Sequence, residues 1–279
     1  MRKELLAAVI VVFGAHALVY FLINVLPDAT IIALGIEGAK REVLVNLQSD
    51  IARRSYFEAV VGLASFDLGH TIDGVPVDYE LGRALTLSFP RIIGAFGLVC
   101  AAALATAYVR RVPRTLVSFL SFLPPYVPAF FALLALLAVG AASPGHPALG
   151  VLGTVAVAIS PAMLAAGQAA GIMQRNLATE FSRTLVSIGA NERFLRTRLL
   201  ANLVAEIVPS LEKVFVMIAA GLLFAEPILG LPGIGTTAVR AVRRADPDLL
   251  LGVTLVFSFS VVLARLVAVI IRRRYGLSA

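Results

Sequence analysis

One cysteine, Cys100, occurs in the chain, so no disulfide can close within it. It sits in an apolar run, where a small core or lipid-facing thiol is the ordinary expectation. Histidine is almost as scarce. His16, His70 and His146 lie far apart and form no metal-ligand spacing. The three lysines, Lys3, Lys40 and Lys213, never follow a glycine. A Gly-Lys-Ser/Thr phosphate loop is therefore excluded, and nucleotide-driven work would need a separate chain to bind the nucleotide. Residues Gly230 to Gly235 (GLPGIG) are glycine-rich, but the glycine order is wrong for a dinucleotide loop, a proline interrupts it, and no βαβ pattern surrounds it. With no serine–histidine or metal constellation either, the reading is not an enzyme, and no cofactor is expected on this chain.

Charge is also sparse. Charged residues make up 15% of the 279, where a soluble domain carries about a quarter. Hydrophobic residues make up 59%, and the mean hydropathy is +0.91. A soluble core of this size cannot hide so many apolar side chains, whereas a bilayer accepts them as solvent. The net charge of +7 comes largely from short arginine clusters between apolar runs. That pattern anchors membrane loops and argues against nucleic acid as a partner.

A span needs about 20 apolar residues. Six runs qualify: 5–26, near 87–109, 115–139, 148–172, a weaker one at 207–229, and 249–271. The 140–147 stretch (GAASPGHP) separates the third from the fourth. The first run is long for a signal-peptide core and is followed by Leu26-Pro27-Asp28 rather than a small-residue cleavage site, so it reads as a retained helix. The expected fold is all-α and polytopic, with about six transmembrane helices. Thirteen Lys/Arg residues fall on one side: Arg2, Lys3, Arg110, Arg111, Arg114, Arg175, Arg183, Arg193, Arg196, Arg198 and Arg272 to Arg274. On the other, segment 27–86 has five Lys/Arg against nine Asp/Glu. Positive loops stay cytoplasmic, so both termini are expected inside. Arg265 lies near the cytoplasmic end of the last run, within snorkelling reach. The expected organisation is a first helix and extracytoplasmic segment over 1–86 and a five-helix core over 87–279.

Two polar segments remain. Val43, Leu47 and Ile51 predict a short helix near 38–64. In the loop 173–206, Phe181, Leu185 and Ile188 share one helical face, Gly189 breaks the run, and Asn191 can cap a second helix carrying Phe194, Leu195, Leu199 and Leu203 among Glu192, Arg193, Arg196 and Arg198. Such a pattern suits a helix lying on a membrane surface and, equally, one docking into a partner's groove. Glu212 and Glu226 fall near the ends of the fifth run, and neither paired intramembrane ionisable groups nor inverted repeats are evident, which counts against an ion-coupled carrier.

Three patches then carry a resemblance. Phe66-Asp67-Leu68-Gly69 is followed by Gly74-Val75-Pro76-Val77, Arg83 and Pro90. Arg183-Thr184-Leu185-Val186-Ser187-Ile188-Gly189 is followed by Asn191-Glu192-Arg193. Glu226 precedes Leu231-Pro232-Gly233-Ile234-Gly235 and Arg243-Arg244-Ala245-Asp246-Pro247. Together they resemble the inner-membrane permease subunits of ABC importers of the dipeptide/oligopeptide/nickel type. Phe66 stands where the family has glycine. Leu185, Val186 and Ile188 replace small or basic residues, Pro209 falls about two residues late, and Leu231 stands where an aromatic is common. The resemblance implies a bacterial or archaeal cytoplasmic-membrane protein forming half of a translocation path. Its partners would be a second permease, two ATPases that hold ATP and Mg, and an extracytoplasmic binding protein. It implies ATPase coupling through Arg183, Thr184, Gly189, Asn191, Glu192, Arg193 and Phe194 in the loop 173–206, which resembles the EAA loop. It further implies a re-entrant outer segment, 226–248, placing Glu226, Pro232, Gly233 and Gly235 on the cargo path, with peptides the commonest cargo. A stand-alone secondary transporter or channel, and a non-transporting membrane assembly subunit, are the alternatives.

Overall fold

The computed structural model describes residues 2–25, 62, 67–108, 132–138, 148–244 and 246–274. The helix expected near 38–64, apart from Gly62, and the run expected at 115–139, apart from a helical stretch at 132–138, lie outside the described residues. The described residues are helical nearly throughout, and among them the one pairing of extended backbone is an isolated bridge between His70 and Pro76. The helices are α1 (Arg2–Val25), α2 (Val77–Tyr108), α3 (Ala148–Leu177), α4 (Glu180–Ser187), α5 (Glu192–Ile228), α6 (Ile234–Arg243) and α7 (Pro247–Arg274).

Three of these, Val77–Tyr108, Ala148–Leu177 and Pro247–Ile271, are long and apolar enough to cross a membrane. A fourth qualifies if the segments Asn202–Val208 and Ser210–Ile228 of α5, bent by 54° about Pro209, count as one span. A proline lacks the backbone N–H that would bond back one turn, which accounts for a bend at this position. In α1 the described side chains include the apolar stretch Val9–Phe21.

The chain divides into two compact units, Met1–Ser88 with Pro232–Val262, and Phe89–Leu231 with Leu263–Ala279. In the first, α2 begins ten residues earlier than the apolar run suggested. Asp78 and Glu80 place negative charge in its first turn, favourable to the helix dipole. Val77, Leu81, Ala84 and Ser88 recur at helical spacing and are buried. Their apolar members pack with Ile234 and Ala241 of α6 and Leu249 and Val253 of α7. The segment before α2 is a tight turn. Thr71 donates from its backbone to Val75, and Val77 donates to Gly69.

Asp246 holds this unit together at one point. It is the residue before Pro247, and one carboxylate oxygen accepts the backbone N–H of Leu249 at 3.0 Å, the usual N-cap bond of α7. The other accepts the N–H of Ile72 at 3.0 Å, 174 residues away. The side chain is buried. Asp246→Ala is expected to destabilise the protein by about 2 kcal/mol, the upper end for a lost cap. Asp246→Asn keeps the α7 cap, since asparagine caps equally well, but turns its NH2 toward the Ile72 N–H and loses that bond, so its stability should fall between those of Asp246→Ala and the wild type. Thermal unfolding in detergent separates the two.

In the second unit, Ala95 and Val99 of α2, Val157, Ala158 and Ala165 of α3, and Val214, Ile218, Leu222 and Ala225 of α5 form one core cluster. Small residues let the backbones approach closely, as helices in lipid require when no hydrophobic force drives them together. Gly221 is the tightest instance, since a Cβ there would meet a Val157 methyl at 2.7 Å. Ala107, Ala169, Ile172, Met173, Leu195, Leu199 and Leu203 form a second cluster.

Candidate functional site

Within the second unit, α3 and α5 are joined by α4 and two short turns. Thr179 and Ser182 fix the first. Both hydroxyls donate to the Asn176 carbonyl at 2.7 Å, and they lie 3.1 Å from each other. This satisfies a carbonyl at the end of α3 that the helix itself leaves open. The second turn is a Schellman motif. Ala190 N–H donates to Leu185 at 3.0 Å and Gly189 N–H to Val186 at 3.0 Å. Gly189 has φ +88°, a left-handed conformation that favours glycine. Asn191 then caps α5, its side chain accepting from the Arg193 N–H at 3.3 Å.

The sequence periodicity anticipated α4, the break at Gly189 and the cap at Asn191. The hairpin also sorts its side chains. Leu195, Leu199 and Leu203 turn inward, with Leu185 half-buried against them. Phe181 is 62% exposed and Ile188 75%, and Val186 and Phe194 are exposed beside them. Arg183, Thr184, Asn191 and Arg193 are exposed as well, and Arg198 stacks over the Phe194 ring with its guanidinium carbon 5.3 Å from the centroid. Glu192 supplies the first residue of α5.

Arg196, counted by sequence as one more loop charge, instead points inward. It is buried and donates to the Ala107 carbonyl of α2 at 2.7 Å. A cation at a helix C-terminus meets the negative end of its dipole. The signal was its place beside Leu195 and Leu199, on the face that packs.

No family model matches this chain, and no curated protein matches it in sequence.

Glu226, expected near the end of a span, is fully buried in the second unit. Its carboxylate accepts from Arg91 of α2 at 2.8 Å, and the Arg91 side chain is itself only 16% exposed. A linear reading does not join these two residues, which lie 135 positions apart.

Pro232, Gly233 and Gly235 belong to the first unit, so the expected outer segment is divided between the two. Gly233 is the N-cap residue of α6, and Ile234 donates its N–H to the buried Ser88 hydroxyl at 2.9 Å. A cavity of about 190 Å³ opens here, lined by Glu80, Arg83, Ala84, Leu87, Pro232, Gly233, Thr236, Thr237 and Arg240. Arg240 donates to Glu80 at 2.6 Å. Arg244 bonds Asp73 further along. Arg83, Thr237 and Arg240 share this cavity because α2 and α6 meet there, which nothing in a linear reading shows. The described residues contain no cluster of metal-binding side chains.

Proposed function

We propose that this chain is the membrane permease subunit of an ATP-driven, binding-protein-dependent importer of a bacterial or archaeal cytoplasmic membrane. In this reading six helices cross the bilayer, both termini are cytoplasmic, and the chain pairs with a second permease. Two ATPases holding ATP and Mg engage the loop 173–206, and an extracytoplasmic protein delivers the cargo, most simply di- or oligopeptides. ATP-driven closure of the ATPases presses on the α4 hairpin. The membrane helices then switch from inward-facing to outward-facing, an alternation set by differential binding to two states. The permease breaks no covalent bond.

The observation that carries this reading is the hairpin at Gly189. It is pinned at both turns and on its inner face, yet it presents Phe181, Val186, Ile188 and Phe194 outward among arginines. An apolar anchor with a polar rim on a rigid support is what a docking contact needs. Co-expression with a candidate ABC-type ATPase from the same organism provides the test. The chain should co-purify with that ATPase, and Gly189→Asp should abolish ATP-driven uptake while insertion into the membrane continues. A chain that inserts normally but never captures an ATPase would overturn the reading.

A stand-alone carrier is the second reading, favoured by the buried Arg91–Glu226 pair, since ionisable groups within spans often mark ion paths. Uptake by proteoliposomes holding this chain alone, without ATP, would establish it. A membrane assembly subunit without cargo has no comparable support.

A further inference from the structure

Helix α5 has one face that its own unit leaves uncovered. Val214, Ile218, Leu222 and Ala225 pack into the core with α2 and α3. On the other side Lys213, Val216, Ala220, Phe224 and Ile228 recur at three- and four-residue spacing, and all five are exposed. Four of them suit lipid. Lys213 does not, and Glu212, half-buried, stands beside it. Both fall within Ser210–Ile228, the second segment of the bent span. Among the described residues neither forms an ion pair within the chain. A lysine one turn inside a span can snorkel to the interface, but the shorter glutamate beside it has less reach. Ionisable groups within spans face partners or water rather than hydrocarbon, so this face calls for a charged neighbour.

The order of the two charges identifies that neighbour. Consecutive helix residues differ in height by about 1.5 Å, so Glu212 and Lys213 lie at nearly one depth in a bilayer. A two-fold axis along the membrane normal preserves depth and turns the same face of each copy onto the other. Lys213 of one copy then meets Glu212 of the other, and the reverse pair forms with it. All four charges are compensated. Two neighbouring residues of one sign would instead be driven apart by the same operation. Ala220 lets the backbones approach at the middle of the face, and Phe224, 64% exposed, supplies an apolar anchor beyond it.

We propose that this face of α5 is a homodimer interface, closed by reciprocal Glu212–Lys213 ion pairs. The second permease of the importer reading is then another copy of this chain. The inference rests on that reading for one point, that the dimer forms a whole translocation path.

The test uses the full chain in its membrane, with Cys100→Ala removing the one native thiol. Ala220→Cys should then give a disulfide-linked dimer on mild oxidation, whereas Val151→Cys, exposed on α3, should not. Lys213→Glu should lower the cross-linked fraction at least about tenfold, because it sets carboxylates against carboxylates. Glu212→Lys should do the same with ammonium groups. The charge swap, Glu212→Lys with Lys213→Glu, should restore most of the dimer. Differently tagged copies of the two single variants, co-expressed, should cross-link to each other and not to themselves, a result that misfolding cannot produce. No cross-link at 220, equal cross-linking at 220 and 151, single reversals that link as well as the unreversed chain, or a swap as deficient as the singles would each overturn the proposal. Capture of the ATPase is scored separately. Its failure with cross-linking intact would remove the importer reading and leave the homodimer standing. Capture without cross-linking would remove the homodimer and make the second permease a different chain.

Discussion

Replacing Phe181 and Ile188 together with aspartate is expected to abolish capture of the partner ATPase while the protein still accumulates in the membrane. Both side chains are exposed, at 62% and 75%, and neither belongs to the cluster that holds the hairpin against α3 and α5. Their loss therefore costs the isolated chain little. At an interface the sum differs. Apolar anchors at the centre of a contact are worth about 2 kcal/mol or more each, so each replacement lowers affinity roughly thirtyfold before the added charges are counted. Burying two unpaired carboxylates against a partner makes the loss larger still. Phe181→Leu should bind nearly as well as wild type, because it keeps an apolar anchor. The measurement is a pull-down of tagged ATPase after solubilisation, compared with the amount of chain in the membrane fraction. An α4 that merely lay on the lipid surface would give a different result: in detergent, wild type and double variant would capture the ATPase equally or not at all.

How much of this was visible in the sequence depends on the distance over which each residue acts. The α4 hairpin was legible because its causes are local: a period of 3.6 in Phe181, Leu185 and Ile188, a glycine at the position that turns left-handed, and an asparagine one residue before α5. The apolar runs near 148–172 and 249–271 were legible for the same reason and emerged as α3 and α7. Boundaries were harder wherever charge continued a helix. Asp78, Glu80 and Arg83 look like loop residues, but they belong to the first turns of α2, and Glu80 finds its counter-charge 160 residues away on α6. The fifth run is weak because Glu212, Lys213 and Glu226 interrupt it, and α5 continues through it from the loop's second helix, so no sharp composition change marks where the loop ends. Arg196 and Asp246 take their roles from partners remote in sequence, and a single chain read linearly contains no record of such pairings.

Removal of the Glu226 carboxylate is expected to do the greatest damage to the protein itself. Glu226→Leu leaves the Arg91 guanidinium largely buried with its acidic partner gone, and breaking a buried pair from one side costs about 3–5 kcal/mol. Among helices that cross a bilayer the exposed alternative is hydrocarbon rather than water, so the orphaned charge has no easy escape. Arg91→Leu should be as harmful, since it strands a carboxylate with no exposure at all. The double replacement, Arg91→Leu with Glu226→Leu, removes both charges and should restore most of the membrane abundance and thermal stability lost by either single change, because apolar pairs often replace buried ion pairs at little or no cost. Abundance in the membrane fraction and unfolding temperature in detergent give the comparison. A double variant as unstable as the singles would mean that the space, and not the charge pairing, is what the fold requires there. The same set separates stability from transport. If the double variant is stable but ATP-driven uptake is lost, the pair acts in the conformational switch between α2 and α5. If uptake survives, the pair is a structural clamp, and the ion-coupled carrier reading loses the observation that favours it.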